Sequence, residues 1–317
     1  MKSSANRRWF LKSLALAGAP VVCPTVEADE TDGHESGATS SGTMGVLMDI
    51  TQCVGCRKCE YACGQAAGFN VPPIETFDDR AVFENDRRPG PASYTVVNRY
   101  AAGESPERFV KVNCLHCNEP ACASACLVGA LQKTATGAVV YDPWKCMGCR
   151  YCMVACPFQI PAYEYDNAFT PQVRKCTMCA DRIANGARVP ACVEICPKEC
   201  LIYGRRDELL ALAHDRIRQH PDRYVEHIYG EHEAGGASWL YLSDRRFADL
   251  GFVAVPAAAP SHLTETLQHA VFKHWAPPAC LYGLLGAIMW LSRRPDDEPK
   301  TSPAVPTMPP RLKGAVS

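Results

Sequence analysis

The chain has 317 residues and a formal net charge of −1 at pH 7, so it lacks the strong positive charge that is typical of nucleic-acid-binding proteins. Its length allows one large domain or two to three small ones. Its 19 cysteines leave three classes of protein, which are a disulfide scaffold, a zinc protein and an iron–sulfur protein.

The N-terminus has the features of a twin-arginine export signal. Arg7 and Arg8 stand together in "NRRWFLK", and an apolar run follows from Leu14 to Val22. The small residues of "VEA" predict a cleavage site after Ala28, so residues 1–28 are expected to be a signal peptide. The alternative is an unrelated basic amphipathic start. The signal predicts a protein on the periplasmic side of the inner membrane.

Four groups of four cysteines follow, and short strands lead into them. Apolar runs predict strands at 45–50, 94–100, 109–112 and 137–142. "MDITQCVGC" and "YDPWKCMGC" both place an aspartate four residues before the first cysteine and a glycine before the second, which indicates a duplicated unit. The four groups are Cys53, Cys56, Cys59 and Cys63; Cys114, Cys117, Cys122 and Cys126; Cys146, Cys149, Cys152 and Cys156; and Cys176, Cys179, Cys192 and Cys196.

The spacing within these groups favours iron–sulfur clusters. A structural zinc site usually takes its ligands from two separated Cys-x2-Cys pairs, whereas groups one and three each place three cysteines at two-residue gaps. Cys-x2-Cys-x2-Cys-x3-Cys-Pro is the bacterial ferredoxin pattern, in which the fourth cysteine binds the other cluster of a pair. Disulfides would form in an oxidising compartment, but the twin-arginine route exports proteins that are already folded with their cofactors. The sequence therefore predicts four [4Fe–4S] clusters.

Several residues beside the groups have simpler interpretations. Cys200 aligns with Ala130 when "CPKECL" is compared with "CLVGAL", so we expect a small buried core residue there. We expect the same of Cys280, and a packing role rather than a ligand role for His116. Four basic residues that flank the cysteines either tune a cluster, bind a partner or lie on a solvated surface. They are Lys145, Arg150, Arg174 and Lys175.

The C-terminal part predicts a helix and a membrane anchor. "RDELLALAHDRIRQH" (206–220) has helical periodicity and an acidic first turn. Residues 274–292 contain no Asp, Glu, Lys or Arg and approach the about 20 residues of a spanning helix. Two arginines follow this stretch, which predicts a cytoplasmic tail over 293–317. The alternative for 274–292 is a buried core helix.

The four groups, in this order, resemble those of the four-cluster electron-transfer subunits of respiratory oxidoreductases. "GCRYCMVACPF", "IYGRRDEL" and "ETLQHAVFKHWAPP" look most like the iron–sulfur subunit of a membrane-bound nickel–iron hydrogenase. The resemblance implies a loop-rich α+β fold of two ferredoxin-like dicluster modules, plus a single C-terminal transmembrane helix. One module would comprise 44–110 and 166–205 with groups one and four. The other, 111–165 with groups two and three, would be inserted in it, and 206–270 would form a C-terminal extension.

The resemblance also implies which cysteines share a cluster, and each set takes one cysteine from another group. Set one is Cys53, Cys56, Cys59 and Cys196; set two is Cys114, Cys117, Cys122 and Cys156; set three is Cys146, Cys149, Cys152 and Cys126; and set four is Cys176, Cys179, Cys192 and Cys63. Leu127 and Gly64 depart from the family pattern, which has proline after the last cysteine of a group.

The function that the resemblance implies is electron transfer without bond-making chemistry. The chain would carry electrons between a periplasmic catalytic subunit, by resemblance a nickel–iron hydrogenase, and a quinone-reactive membrane subunit. One alternative is the beta subunit of a molybdopterin oxidoreductase or of another quinone-linked complex. A structural metal-binding or assembly protein is a further alternative, and it predicts zinc and no redox activity. No partner nucleic acid is expected.

Overall fold

A computed structural model describes residues 42–102, 105–261 and 276–292 of the chain. The predicted signal peptide (1–28), the predicted tail (293–317) and the end of the predicted extension (262–270) lie outside these residues. The described strands are β1 (Met44–Asp49), β2 (Val96–Ala102), β3 (Ser105–Val112), β4 (Leu131–Lys133), β5 (Val139–Tyr141), β6 (Ala162–Tyr163), β7 (Val173–Arg174), β8 (Leu201–Arg205) and β9 (Trp239–Leu242). The described helices are α1 (Lys58–Ala66), α2 (Ala121–Ser124), α3 (Tyr151–Ala155), α4 (Ala180–Ala184), α5 (Ala191–Glu194), α6 (Arg206–Gln219) and α7 (Ala276–Ser292).

A three-stranded sheet organises the part of the chain around the cysteines. Strand β1 lies in its centre, antiparallel to β8 and parallel to β9. Val46 and Leu47 of β1 are both completely buried, because a central strand that is covered on both faces is apolar throughout. The sequence analysis predicted β1 and assigned no strand at β9, so the C-terminal extension supplies an unforeseen third strand of this sheet.

One face of the sheet packs against helix α6. Leu209, Ala213 and Ile217 are spaced four residues apart and are buried against Leu47 and Leu240, as expected of the apolar stripe of an amphipathic helix. Asp207 and Glu208 lie in the first turn of α6, and Arg216 and Arg218 lie in its last turn, which suits the helix dipole. The helix predicted at 206–220 is confirmed.

The opposite face of the sheet covers the cysteine-rich core. Val46 and Met48 of β1 alternate with Leu47, and they pack in one cluster with Trp239 and Tyr241 of β9. Successive side chains of a strand point to opposite faces of the sheet. Val46 and Met48 therefore point to the cysteine-rich core, and Leu47 between them points to helix α6. The same cluster contains a large share of the buried thiols, namely Cys114, Cys176, Cys192 and Cys200.

Three two-stranded antiparallel ribbons carry the remaining strands: β2 with β3, β4 with β5, and β6 with β7. The strands predicted at 94–100, 109–112 and 137–142 are confirmed in these ribbons, with boundaries shifted by a few residues. Helices and antiparallel ribbons separated by loops give the described residues the mixed α and β content that the sequence predicts. The division into two dicluster modules stays a prediction.

A buried carboxylate fixes the chain as it leaves β1. Asp49 is 1% exposed, and its carboxylate accepts hydrogen bonds from the backbone N–H of Thr51 at 3.0 Å, from Gln52 at 2.9 Å, from Arg216 of α6 at 3.1 Å and from the hydroxyl of Tyr224 at 2.7 Å. Every partner donates, as an ionised carboxylate requires. Asp49 therefore ties the first cysteine loop to helix α6.

Helix α7 occupies the region of the predicted anchor. It contains 17 residues, and its side chains from residue 280 to 292 are exposed. Among the helices within the described ranges, none combines the length and the apolar character needed to cross a membrane. The predicted span, 274–292, begins outside the described residues, and the anchor stays a prediction.

Candidate functional site

The four cysteines of set one surround a single cavity. Its empty space is about 390 Å³, part of it open to solvent, and Cys53, Cys56, Cys59 and Cys196 all line it. Group one supplies three of these residues and group four supplies the last. The structure therefore brings together residues that are far apart in sequence, in the combination that the family resemblance implies for one cluster.

The cysteines of set four are also neighbours. Burial raises the pKa of Cys63 well above its ordinary value, and the thiols of Cys176, Cys192 and Cys179 raise it further. Nearby anions have this effect because each disfavours the ionisation of the next. Cys63 follows the three cysteines of group one in sequence but interacts with those of group four.

Set two gathers in the same manner around Cys117. Burial raises the pKa of Cys117, and Cys114, Cys156 and Cys122 contribute in that order. Cys156 ends the third group, at the C-terminus of helix α3. The change of spacing before Cys156 thus marks the point at which group three stops contributing to set three and contributes a cysteine to set two.

Set three lies nearest the surface. Burial raises the pKa of Cys152 to about 11, and Cys126, Cys146 and Cys149 add to the shift. Cys149 is exposed, unlike the other cysteines of the four sets. Each of the four predicted sets therefore consists of mutually close thiols, while their role as cluster ligands stays a prediction.

The first and third cysteine loops have the same backbone conformation. Gly55 and Arg57 have φ angles of 70° and 56°, and Gly148 and Arg150 have 74° and 60°. The turn directs the N–H of Gly148 to the sulfur of Cys146 at 3.4 Å. Hydrogen bonds from backbone N–H groups to sulfur favour the thiolate, so these left-handed residues help to prepare the loops for an electron-deficient partner.

Replacing Gly55 with alanine should destabilise the protein by about 2–4 kcal/mol. An added Cβ would lie 2.3 Å from the ring of Phe109, and the φ of +70° is unfavourable for alanine. Gly68 is the matched control, because its φ is +72° and nothing lies within 4 Å of its added Cβ. G68A should cost only the backbone term of about 1 kcal/mol. Equal shifts of the guanidinium unfolding midpoint in the two variants would contradict the steric explanation.

The chemistry of the site fits [4Fe–4S] clusters. Each set offers four sulfur donors, the ligand type that holds such clusters, and all of these cysteines except Cys149 are buried or half-buried. Within the described ranges, no group of three or more His, Cys, Asp or Glu side chains is arranged around a single metal ion.

His116 has a packing role and an unsatisfied nitrogen. It is completely buried, and its Nδ1 accepts a hydrogen bond from the N–H of Val139 at 2.9 Å. Nε2 therefore carries the proton, and it has no hydrogen-bond partner among the described atoms. Burial lowers the pKa of His116 well below its ordinary value, so the ring is neutral at pH 7. This buried N–H group could donate a hydrogen bond to a neighbouring sulfur atom.

Of the four flanking basic residues, one is not on the surface. Lys145 and Arg150 are exposed and Arg174 is half-buried. Lys175, by contrast, is 2% exposed, and it donates to the carbonyl oxygens of Val139 and Cys176. The interpretation of these basic residues as part of a solvated surface is therefore wrong for Lys175.

The two cysteines outside the sets behave differently. Cys200 is buried as predicted, but it also lines the set-one cavity, with its Sγ 3.4 Å from that of Cys196. Its hydrogen bond is the largest of the effects that lower the pKa of Cys196 to about 5. Cys280 is exposed, contrary to prediction, because the described side chains of α7 from this residue onward are all exposed.

Two further lysines near the cysteines, one buried and one partly buried, were not predicted from the sequence. Lys111 lies in β3 and is 2% exposed, and Lys133 ends β4 and is partly buried. Lys111 interrupts the apolar run "FVKV". A charged residue within an apolar run is the sequence signal that could have indicated its burial. Neither lysine forms an ion pair with a carboxylate among the described residues; their acceptors are hydroxyl, amide and backbone oxygens.

Comparisons with known proteins agree with this chemistry. Residues 107–206 match the family model of a 4Fe-4S dicluster domain. A protein of Nitratidesulfovibrio vulgaris is 50% identical over 247 residues, which is 78% of this chain and 66%, just under two thirds, of the relative.

Two named relatives are more distant. The hydrogenase-2 operon protein HybA of Escherichia coli O157:H7 is 32% identical over 314 residues, covering 88% of this chain and 93% of the relative. The iron-sulfur subunit of the nitrate-inducible formate dehydrogenase of Escherichia coli K12 is 33% identical over 203 residues, covering 62% and 66%. One of these relatives is thus named as the product of a hydrogenase operon and the other as an iron-sulfur subunit.

Proposed function

We propose that this chain, which belongs to the family of ferredoxin-type iron–sulfur subunits of respiratory oxidoreductases, carries electrons through four [4Fe–4S] clusters between a catalytic subunit and a quinone-reactive membrane subunit. The arrangement of the cysteines is the observation that carries the proposal. Four sets of four thiols gather from distant parts of the sequence, and each set exchanges one cysteine with another group. Such an exchange is characteristic of dicluster ferredoxins.

The chain's own residues bind, shield and tune the clusters. When bound, the clusters supply reversible one-electron chemistry at potentials set by their surroundings. The thiols hold the iron, the buried sheet face excludes water, and backbone N–H groups such as that of Met178 donate to sulfur, here Cys176 at 3.3 Å. Lys111, Lys133 and Lys175 place positive charge beside the sets. None of these residues is required to make or break a bond in a substrate.

The relatives and the sequence support the proposed partners and the proposed location. The likeness to the hydrogenase-2 operon protein over most of both chains supports a nickel–iron hydrogenase as the catalytic partner. The twin-arginine pattern supports export of the folded protein to the periplasm. The uncharged stretch 274–292, with arginines after it, supports a single C-terminal anchor whose tail, 293–317, faces the cytoplasm.

A molybdopterin enzyme is the second candidate for the catalytic partner. The likeness to a formate dehydrogenase iron-sulfur subunit favours it, although that likeness covers 62% of this chain. Affinity purification of the tagged chain from its own membranes separates the two candidates. Co-purification of a nickel-containing subunit supports the hydrogenase, and co-purification of a molybdenum-containing subunit supports the alternative.

The protein purified without oxygen should contain about 16 iron and about 16 acid-labile sulfide per chain, as four [4Fe–4S] clusters require. Low-temperature electron paramagnetic resonance (EPR) of the reduced protein should show several interacting one-electron centres. Metal analysis and EPR on the same sample check both expectations. Four zinc ions with no sulfide would overturn the electron-transfer proposal and favour a structural metal protein.

A further inference from the structure

Lys111 is a buried cation whose surroundings contain no carboxylate partner among the described residues. Its Nζ donates to the hydroxyl of Thr95 at 2.7 Å and to the amide oxygen of Asn113 at 2.9 Å. The ammonium also lies 4.6 Å from the centre of the Trp239 ring. The two hydrogen bonds use two of the three N–H donors of the ammonium, and their neutral acceptors do not neutralise its charge. An isolated buried charge is costly unless an opposite charge lies nearby.

The groups near Lys111 that can carry the opposite charge are cysteines, which are thiolates when they bind iron. Burial lowers the pKa of Lys111, but the interaction with Cys192, Cys59, Cys176 and Cys63 outweighs it, so the pKa lies above its ordinary value. Cys59 belongs to set one, and the other three belong to set four. Lys111 also lines the set-one cavity together with the four cysteines of that set. Lys111 therefore lies beside the four cysteines of set one and interacts electrostatically with three cysteines of set four.

We infer that Lys111 is the shared counter-ion of the clusters held by sets one and four, and that its charge raises the reduction potential of both. This inference rests on the proposed function. Reduction adds one negative charge to a cluster, and a fixed positive charge nearby stabilises the reduced form more than the oxidised form. A cation shared by two clusters shifts both potentials in the same direction, so it changes the driving force for electron transfer between them less than a cation beside one cluster alone.

Lys133 provides an internal comparison. Its Nζ donates to the carbonyl oxygens of His116 at 2.8 Å and of Gly137 at 2.7 Å. Burial lowers the pKa of Lys133 to about 8, while Cys117 and Cys114 of set two act in the opposite direction. Neither set one nor set four appears among its main electrostatic partners. Removing Lys133 should therefore affect a different cluster from removing Lys111.

The test is a redox titration of the full-length protein in its membrane complex, followed by EPR. In Lys111→Met, two of the four midpoint potentials should fall. At a fixed potential the ratio of reduced to oxidised cluster should drop about tenfold or more in both, which is about 59 mV per tenfold for a one-electron couple. Lys111→Arg should keep both potentials. Lys133→Met should lower a potential that does not belong to this pair.

A loss of clusters is also informative. If Lys111→Met cannot retain two clusters while Lys111→Arg retains all four, the counter-ion role is supported. Lys111→Gln, which is neutral but keeps donors for Thr95 and Asn113, should behave like Lys111→Met. Four unchanged potentials in both neutral variants, or the same loss in Lys111→Arg, would overturn the inference and leave only a packing role. A wild-type protein without four clusters would instead overturn the proposed function.

Discussion

Replacing Cys156 with alanine should abolish the cluster bound by group two and spare the cluster bound by the loop in which Cys156 stands. The iron content should fall by about four of the about 16 atoms per chain. The reason is that Cys156 interacts with cysteines of group two. Cys114 is among the groups that raise the pKa of Cys156, and Cys156 in turn raises the pKa of Cys117. Iron analysis and quantitative EPR of the anaerobically purified variant measure the loss.

Double variants identify which cluster is lost. Substitutions of two cysteines of the same set should not have additive effects on the iron content, because the first substitution already removes the cluster that both cysteines bind. Cys156→Ala combined with Cys117→Ala should therefore lose no more iron than either variant alone. Cys156→Ala combined with Cys149→Ala should lose about twice as much. The reverse pattern would show that Cys156 binds the cluster of its own loop, and the proposed exchange of cysteines would be wrong.

Removing the carboxylate of Asp49 should destabilise the protein by about 3–5 kcal/mol. In Asp49→Ala, the guanidinium group of Arg216, the hydroxyl of Tyr224 and the backbone N–H of Thr51 lose a common acceptor in a buried site. Uncompensated buried donors account for the size of this penalty. The free energy of unfolding in guanidinium chloride, compared with that of the wild type under the same anaerobic conditions, gives the measurement.

The duplicated unit supplies the control. Asp142 occupies the equivalent position before group three, but its side chain is 41% exposed, with Lys145 at 3.6 Å. It accepts one hydrogen bond, from the N–H of Trp144 at 3.0 Å. Asp142→Ala should therefore cost about 1 kcal/mol or less. An equal loss of stability in the two variants would mean that the buried contacts of Asp49 do not cause the destabilisation of Asp49→Ala.

Local sequence signals predicted the elements that depend on local chemistry. Strand β1 follows from "GVLMDI", because its apolar residues are buried on both faces of the sheet, and α6 follows from the spacing of Leu209, Ala213 and Ile217. The cysteine loops follow from the two-residue gaps, since three thiolates around one corner of a cluster need a tight turn. The way in which the cysteines combine came from the family resemblance, because spacing alone does not join Cys196 to Cys53.

Features that depend on distant partners could not be predicted. Strand β9 is short and pairs with β1 from the far end of the chain, and no local pattern reveals such a partner. Glu60 follows a predicted ligand in an amphipathic helix, yet it is buried and accepts from Arg87 and from the N–H of Val97, both at 2.6 Å. The burial of Lys111 and Lys175 likewise depends on hydrogen-bond acceptors, such as Thr95 and the carbonyl oxygen of Val139, that tertiary folding brings near.

The two neighbours of strand β1 are synthesised long after β1 itself. Its pairings join residues separated by about 160 positions with β8 and about 190 with β9, and contacts of such high sequence separation form slowly. The sheet is incomplete until Leu242 has left the ribosome, and by then all sixteen cysteines of the four groups have been translated. Translation therefore creates an interval in which all sixteen of these cysteines are present and the sheet that covers the core is still incomplete.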